Sequence, residues 1–303
     1  MKRVMMKRMG RIGLLAVMLM VSAQAFAAGP TFLWELRDAR GAVRAWLFGT
    51  IHVCDEACFP LPGVVREAFA KADVLALELD PDDPQLVVQL RKAGMLPSGQ
   101  RLGQRLPPEL NTRLERVAAG FGLPAEAIQR LQPWMVATLL SLQAADKAGY
   151  GASQGVDLWL ARQARARGLP LLALETARRQ VAALGAGGEK AQLAYLAEVV
   201  DLIDSGEASA YFGAMLQAWR DGDAAELDRL MREEMAGEAM QPLLDALLGQ
   251  RNREMALRID KQLKTGRRPF VAVGAAHLGG PSGLVVQLAA KGYKLRQLDA
   301  TPD

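Results

Sequence analysis

Two stretches near opposite ends of the chain decide the fold: Trp46-Leu47-Phe48-Gly49-Thr50-Ile51-His52 and Phe270-Val271-Ala272-Val273-Gly274-Ala275-Ala276-His277. Each is an apolar run that closes on Gly-x-x-His, and these are the only two histidines among 303 residues. A glycine-marked helical pattern and a further strand follow both, so the same unit occurs twice. This repeat predicts a central sheet of two pseudo-symmetric halves whose histidines meet near the axis.

The strand that completes each unit differs between the two copies at one position. In Val74-Leu75-Ala76-Leu77-Glu78-Leu79-Asp80 the fifth residue is Glu78, whereas the matching position in the second unit is Gln297. Glu78 therefore has no carboxylate counterpart. A charge inside an apolar strand needs a partner because its burial is costly, and an arginine such as Arg251 would suit.

The remaining chain reads as a mixture of strands and long helical segments. Residues 32–37 and 43–48 form two apolar runs around a glycine-containing turn, which predicts a hairpin. Residues 169–174 read as another strand, while 82–150 and 180–264 have helical spacing throughout. We expect an α/β (α+β) fold, with one mixed sheet of about six strands and large helical insertions, forming a single domain over residues 29–303.

The first 28 residues have the pattern of a secretory signal peptide. Basic residues are followed by an apolar run at 12–21, which is shorter than the roughly 20 residues that span a bilayer. Ala25-Phe26-Ala27 matches a cleavage site. We expect cleavage near Ala27 or Ala28 and a periplasmic or secreted product without membrane contact; an uncleaved anchor is the alternative.

Charge argues against a nucleic-acid partner. The chain has 37 basic and 33 acidic side chains, and five of the basic ones lie in the predicted signal peptide. Removing them leaves 32 basic against 33 acidic side chains. A nucleic-acid-binding domain would need a basic face that this remainder does not suggest.

The two cysteines lie four positions apart, immediately after the first histidine. In an exported protein Cys54 and Cys58 are expected to form a disulfide. A thiolate metal site that includes His52 is the alternative, but structural zinc takes four nitrogen or sulfur ligands. That alternative would therefore need His277 as well.

Polar residues gather where the predicted strands end. His52, Glu78 with Asp80, Glu175 and His277 all occupy such positions. Neighbouring parallel strands would bring them to one edge of the sheet, where α/β folds bind ligands. Two imidazoles and a carboxylate suit Zn²⁺, Mn²⁺ or Co²⁺, with an open position that activates water. Another carboxylate, such as Glu175, would then serve as general base.

Simpler interpretations exist for each of these residues. A histidine at a strand end can merely cap a loop, and Asp157 can cap its own helix. Arg251 and Asn252 can belong to a solvated helix face. The chain has no Gly-x-Ser-x-Gly, His-Glu-x-x-His or P-loop motif that would indicate another mechanism.

A set of motifs, taken in order, resembles the TraB/PrgY/GumN family, which includes the TIKI proteins and is grouped with erythromycin-esterase-like and ChaN-like proteins. The matching stretches are Leu47-Phe48-Gly49-Thr50-Ile51-His52, Leu77-Glu78-Leu79-Asp80, Gly155-Val156-Asp157, Leu174-Glu175-Thr176, Arg251-Asn252 and Val273-Gly274-Ala275-Ala276-His277-Leu278-Gly279-Gly280. Together they span nearly the whole chain after the predicted signal peptide.

The resemblance implies a fold in which two Gly-x-x-His motifs flank one site, and a metal-dependent protease activity. It makes His52, His277 and Glu78 the candidate ligands of a divalent Mn, Co or Zn ion. Arg251 and Asn252 become supporting catalytic residues that would stabilise an oxyanion. The expected function is a periplasmic metal-dependent hydrolase of peptide or protein substrates. The alternative is a non-catalytic periplasmic protein that binds haem, a peptide or a polysaccharide.

Overall fold

The computed structural model of the chain describes residues 29–300, so the predicted signal peptide lies outside the described residues. Within this range one sheet contains six strands, in the order β4-β3-β5-β2-β1-β6. The strands are β1 (Pro30–Arg37), β2 (Val43–Thr50), β3 (Val74–Leu77), β4 (Leu171–Ala173), β5 (Pro269–Gly274) and β6 (Lys294–Asp299).

The sheet is mixed, as predicted. Strands β2, β5, β3 and β4 are parallel neighbours, and β1 pairs antiparallel with both β2 and β6. Every residue of β3 and β5 is buried. Strands covered on both faces are expected to be continuously apolar rather than alternating, and the sequences of these two strands have that character.

The predicted hairpin joins β1 to β2 through a turn at residues 38–42. The Asp38 carboxylate accepts hydrogen bonds from the backbone N–H groups of Arg40 and Ala42, at 2.9 and 3.0 Å. Gly41 has a φ of 83°, which a residue with a side chain rarely adopts. The turn therefore forms from local chemistry, and it brings Trp34 opposite Leu47 in the sheet.

Thirteen α-helices surround the sheet within the described residues. They are α1 (Gly63–Lys71), α2 (Pro84–Gly94), α3 (Pro108–Gly120), α4 (Ala125–Ile128), α5 (Pro133–Lys147), α6 (Val156–Ala166), α7 (Ala177–Leu184), α8 (Gly188–Asp204), α9 (Ala208–Arg220), α10 (Ala224–Glu234), α11 (Gln241–Leu244), α12 (Gln250–Leu263) and α13 (Leu284–Ala289). Between residues 29 and 300 no helix is long and apolar enough to cross a membrane.

The helical insertions build an apolar core of their own, apart from the core against the sheet. Helices α3, α5 and α8 pack together through fully buried side chains such as Leu114, Leu140 and Leu196. Each buried leucine contributes roughly 1.5–3 kcal/mol relative to an exposed one. The larger core lies on the sheet and includes Phe48 and Phe270, whose ring centroids are 5.7 Å apart.

The pseudo-twofold relation between the two units is not confirmed. Strand β3 of the first unit lies directly beside β5, whereas β1 separates β6 of the second unit from β2. Gln297, the counterpart of Glu78, donates instead to the backbone oxygens of Thr31 and Gly222 at 2.9 and 2.7 Å. Because the hairpin strand β1 takes the inner position, the polar residue of the second unit becomes part of the scaffold.

Strand direction nevertheless places the predicted residues at one edge. Glu175, Glu78, His277 and His52 follow the carboxyl ends of β4, β3, β5 and β2, which are adjacent and parallel. Ligand sites of α/β sheets lie outside this edge.

Candidate functional site

His277 is the most firmly held residue of the site. Its side chain is 5% exposed, and its Nδ1 lies 2.6 Å from Asn252 Oδ1. The Asn252 amide nitrogen donates to the Ser282 carbonyl at 2.9 Å, so the amide orientation is determined and its oxygen faces the ring. The hydrogen-bond network thus assigns the proton to Nδ1 and leaves a lone pair on Nε2.

Glu78 lies across from that lone pair. Its Oε1 is 3.6 Å from His277 Nε2 and accepts a 2.6 Å hydrogen bond from the Gly274 N–H. Its Oε2 accepts from Arg251 Nη2 at 2.5 Å and from Gln180 Nε2 at 3.1 Å. The carboxylate is therefore fully engaged, with one oxygen turned toward the histidine.

Burial and charge set the protonation of this pair. Burial alone would raise the pKa of Glu78, but nearby positive charge at His277 and Arg251 lowers it to about 2. Burial lowers the pKa of His277 to about 4, against the attraction of Glu78. At neutral pH a carboxylate thus faces a neutral imidazole nitrogen, and neither atom has a proton to share. Two electron-pair donors placed this way suit a cation.

Arg251 and Glu175 form the layer beneath Glu78. Arg251 Nε donates to Glu175 Oε2 at 3.1 Å, Nη2 donates to both Glu175 Oε1 and Glu78, and Nη1 donates to the Leu247 carbonyl at 3.1 Å. The two side chains are 7% and 3% exposed. Burial raises the pKa of Glu175, although Arg251 opposes this effect.

This geometry suits positioning better than contact with a substrate. Arg251 donates hydrogen bonds to the Glu78 and Glu175 carboxylates and to the Leu247 carbonyl, and both oxygens of Glu175 accept from that arginine. Asn252 is likewise committed to His277 and Ser282. The roles of general base for Glu175 and of oxyanion stabiliser for Arg251 and Asn252 stay predictions, which this arrangement does not favour. The expected pairing of Glu78 with Arg251 is present.

A local irregularity precedes Arg251 and Asn252. Residues Asp245–Gly249 form a π-helical turn between α11 and α12. Such turns are rare and often occur at functional sites. Here the wide turn leads into Arg251, which contacts the Glu78 and Glu175 carboxylates, and into Asn252, which contacts His277.

His52 contrasts with His277. Its side chain is 63% exposed, and its Nδ1 lies 3.3 Å from Asp157 Oδ2. Burial opposes the charged form, but this cost is limited for a ring so open to water. The hydrogen bond and charge of Asp157, with the charge of Glu78, raise the pKa of His52 to about 9.

The two histidines and Glu78 converge on Gly274. A Cβ atom on this glycine would lie 3.2 Å from Glu78 Oε1, 3.5 Å from His52 Nε2 and 3.7 Å from His277 Cδ2. The glycine of the second unit therefore leaves open the space between three candidate ligands. In the first unit, a Cβ on Gly49 would instead meet Phe32 at 2.5 Å and Ala275 Cα at 3.0 Å.

The residues fit a metal ion with one adjustment. Ligand atoms of a transition metal lie about 2.0–2.2 Å from the ion, which keeps them close to one another. Across residues 29–300 the only three metal-ligand atoms within 4.8 Å of each other belong to Cys54, Asp55 and Cys58. His277 and Glu78 already face each other, so it is the exposed His52 ring that would move inward.

The cysteines do not hold a metal. Cys54 and Cys58 form a disulfide, as predicted, and both are buried. The bridge closes the loop that follows His52, and the Cys54 N–H donates to the Gly151 carbonyl at 3.2 Å. The thiolate alternative for this loop is therefore wrong.

One strand-end residue does not face the site as expected, and one residue of the site was not predicted. Asp80 pairs with Arg165 and lies outside the site, because β3 ends at Leu77 and the chain turns away. Gln180, which contacts both Glu78 and Glu175, was missed. The available signal was its place one turn into the helix that follows Glu175.

Known relatives cover most of the chain. It is 26% identical to the uncharacterized protein YbaP of Shigella flexneri over 84% of this chain and 92% of that protein. It is 27% identical to the uncharacterized protein YbaP of Escherichia coli over 78% of this chain and 85% of that protein. The metalloprotease TIKI2 of Danio rerio is 29% identical over 50% of this chain and 34% of that protein.

The named activity among these relatives is that of a metalloprotease, and none of them supports the haem alternative. No solved structure matches the chain. The TraB/PrgY/gumN family model matches residues 32–297, in agreement with the motif order and with the convergence of both histidines, and the chain belongs to this family.

Proposed function

We propose that this protein is an exported, metal-dependent hydrolase that cleaves peptide bonds. One observation carries the proposal: three candidate ligands surround the position that a Cβ atom on Gly274 would occupy. His52 Nε2, Glu78 Oε1 and the His277 ring all lie within 3.7 Å of that position. Two imidazoles and a carboxylate around one open volume are the donor set of a divalent transition metal.

His52, His277 and Glu78 would hold Mn, Co or Zn. When bound, such an ion supplies a Lewis acid that polarises a carbonyl and lowers the pKa of a water molecule. The chain prepares two of these donors in advance: His277 is neutral, with its lone pair on Nε2, and Glu78 is ionised. A pKa of about 2 makes Glu78 a poor general base, so its role is that of a ligand.

The layer beneath the site maintains this arrangement. Arg251 keeps Glu78 charged, while Gln180 and the Gly274 N–H fix both of its oxygens. Asn252 sets the tautomer of His277. Partners of this kind orient ligands and raise metal affinity about 10–100-fold in other metalloproteins.

The relatives and the amino terminus support the remaining parts of the proposal. The proteins named metalloproteases share 26–35% identity with this chain, which favours hydrolysis of a peptide or protein substrate. The predicted signal peptide favours a periplasmic or secreted location. The near balance of charge in the rest of the chain argues against a nucleic-acid substrate.

Metal content, measured by mass spectrometry, tests the proposal. The wild type and the exposed-carboxylate control Glu67→Gln should bind one equivalent of Mn, Co or Zn, whereas His52→Ala, His277→Ala and Glu78→Gln should lose it. Hydrolysis of a fluorogenic peptide library should be lost in the same three variants. A wild type that binds none of the three metals after their addition would overturn the proposal.

Calorimetry in buffers of different ionisation enthalpy adds a second readout. Because the pKa of His52 is about 9 without metal, binding at pH 7 should release about one proton. Metal affinity should rise with pH up to about 9 for the same reason. Binding without proton release would mean that His52 is not a ligand.

A further inference from the structure

The loop that carries His52 is fastened to the amino end of α6 by several contacts. The Val156 N–H donates to the Ile51 carbonyl at 2.9 Å, and the Cys54 N–H donates to the Gly151 carbonyl at 3.2 Å. Asp157 Oδ2 lies 3.3 Å from His52 Nδ1. We call residues 151–157 the clasp, since they contact the His52 loop on both sides of the histidine.

Within residues 29–300, Asp157 is the only side chain that hydrogen-bonds or pairs with the His52 ring. The ring is 63% exposed, so packing does little to fix its torsion angles. A side chain without such a contact would exchange among staggered rotamers. His277, 5% exposed and bonded to Asn252, has no need of this kind of support.

Asp157 does not serve as the cap of its helix. The capping position of α6 is Gly155, and among the described residues no side chain makes a capping hydrogen bond at this end. The second carboxylate oxygen, Oδ1, is buried and has no hydrogen-bond partner among the described residues. The charge of Asp157 in the first turn favours the helix, but burying a carboxylate oxygen without a donor is costly, and the contact with His52 gives a second reason for this residue.

Gly155 provides the space in which this contact forms. A Cβ on Gly155 would lie 2.8 Å from the His52 carbonyl oxygen and 2.9 Å from Asp157 Oδ1. Both distances are shorter than van der Waals contact, so any larger residue would push the loop and the carboxylate apart. At Gly151, in the same clasp, a Cβ would meet no atom closer than 3.7 Å.

We propose that Asp157 is a positioning residue that holds His52 in one rotamer, with Nε2 directed at the open volume beside Gly274. Gly155 is required for this contact because it leaves room for it. Bonding at Nδ1 leaves Nε2 as the atom that faces Glu78 and His277. The role belongs to the chain itself, and only its consequence for metal binding rests on the proposed function.

The test is the χ1 rotamer of His52, obtained from three-bond couplings in metal-free protein with isotope-labelled histidine. With only two histidines, His277 is an internal control in every spectrum. We expect a single rotamer in the wild type, averaging in Asp157→Ala, and a single rotamer again in Asp157→Asn, which keeps an acceptor oxygen. The His277 couplings should not change.

The glycine pair tests the clasp independently. Gly155→Ala should average the His52 couplings, whereas Gly151→Ala should leave them as in the wild type. Circular dichroism would show whether Gly155→Ala folds; if it does not, the Asp157 variants still decide. A single His52 rotamer in Asp157→Ala, or averaged rotamers already in the wild type, would overturn the proposal.

Titration with Co²⁺ separates this inference from the proposed function. If the site binds metal, Asp157→Ala should weaken Co²⁺ binding by about 10–100-fold, the usual effect of removing a partner of a ligating histidine. If the wild type binds no metal but has a single His52 rotamer that becomes averaged in Asp157→Ala, the positioning role stands and the hydrolase proposal falls.

Discussion

The ring of His277, in the second unit, is 5% exposed and bonded to Asn252, whereas the ring of His52, in the first unit, is 63% exposed and has Asp157 as its one polar partner among the described residues. The glycines differ as well. Gly274 keeps a volume open between the candidate ligands, and Gly49 lets Phe32 and Ala275 approach the end of β2.

The difference teaches how a repeated motif can serve two physical roles. His277 of the second unit, Glu78 of the first unit and Arg251 form a buried, mutually bonded group, which we call the template. The His52 unit is a loop at the surface, closed by the Cys54–Cys58 bridge and fastened to the clasp. We infer that the template presets the geometry of the site and that the clasp keeps His52 directed at it, so that an inward shift of His52 would complete the ligand set.

The largest expected effect concerns the buried template. Arg251→Ala should lower the free energy of unfolding by about 3–5 kcal/mol, because two carboxylates are left buried without their cation. Arg165→Ala is the matched control: its pair with Asp80 is more exposed and should contribute about 0–1 kcal/mol. Urea denaturation measures both, and equal effects would mean that the template is not special.

The two histidines should give opposite pH dependence of stability in the metal-free protein. The pKa of His277 falls from 6.5 to about 4, so its contribution is present above pH 6.5 and is lost as pH falls toward 4. This loss is up to about 3 kcal/mol by linkage. His277→Gln should flatten the acid side of the curve.

For His52 the pH dependence of the free energy of unfolding has the opposite sign. Its pKa rises from 6.5 to about 9, so its contribution is present below pH 6.5 and is lost as pH rises through 9. The effect should be smaller because water screens an exposed pair. Unfolding curves from pH 4 to 10 for wild type and His52→Gln measure it; a flat alkaline limb in the wild type would contradict the Asp157 contact.

The two glycines should separate stability from binding. Gly49→Ala places a methyl 2.5 Å from Phe32 and should cost about 1–3 kcal/mol through overpacking. Gly274→Ala meets its nearest atom at 3.2 Å and should change stability by less than about 1 kcal/mol. Only Gly274→Ala should abolish metal binding in a folded protein. Loss of binding in both, at equal stability, would remove the distinction between the two units.

The most local effect is expected at the bridge. Replacing Cys54 and Cys58 together by alanine should cost about 2 kcal/mol, as the loop-closure relation gives for so short a loop. Hydrogen exchange should quicken at the Cys54 N–H and stay unchanged around His277. Faster exchange near His277 would show that the two units are coupled rather than separate.

Much of the fold followed from local patterns. The hairpin, the six strands and the helical insertions could be predicted because apolar spacing, turn residues and glycine positions act over a few residues at a time. Asp80 was assigned to the site because strand patterns locate a strand end only to within a few residues. The twofold relation was not confirmed for another reason: local patterns do not determine which strand lies between two others.

The sequence by itself determined the chemistry that is available: two histidines in repeated motifs, a glutamate at the end of an apolar strand, an Arg-Asn pair and a cysteine pair suited to a disulfide. Only the tertiary structure decided how these groups are used. It placed Arg251 and Glu175 beneath the site, exposed one histidine and buried the other, and assigned Asp157 to His52. Burial and hydrogen-bond partners come from segments far apart in the chain, and they determine which atoms remain free to bind or react.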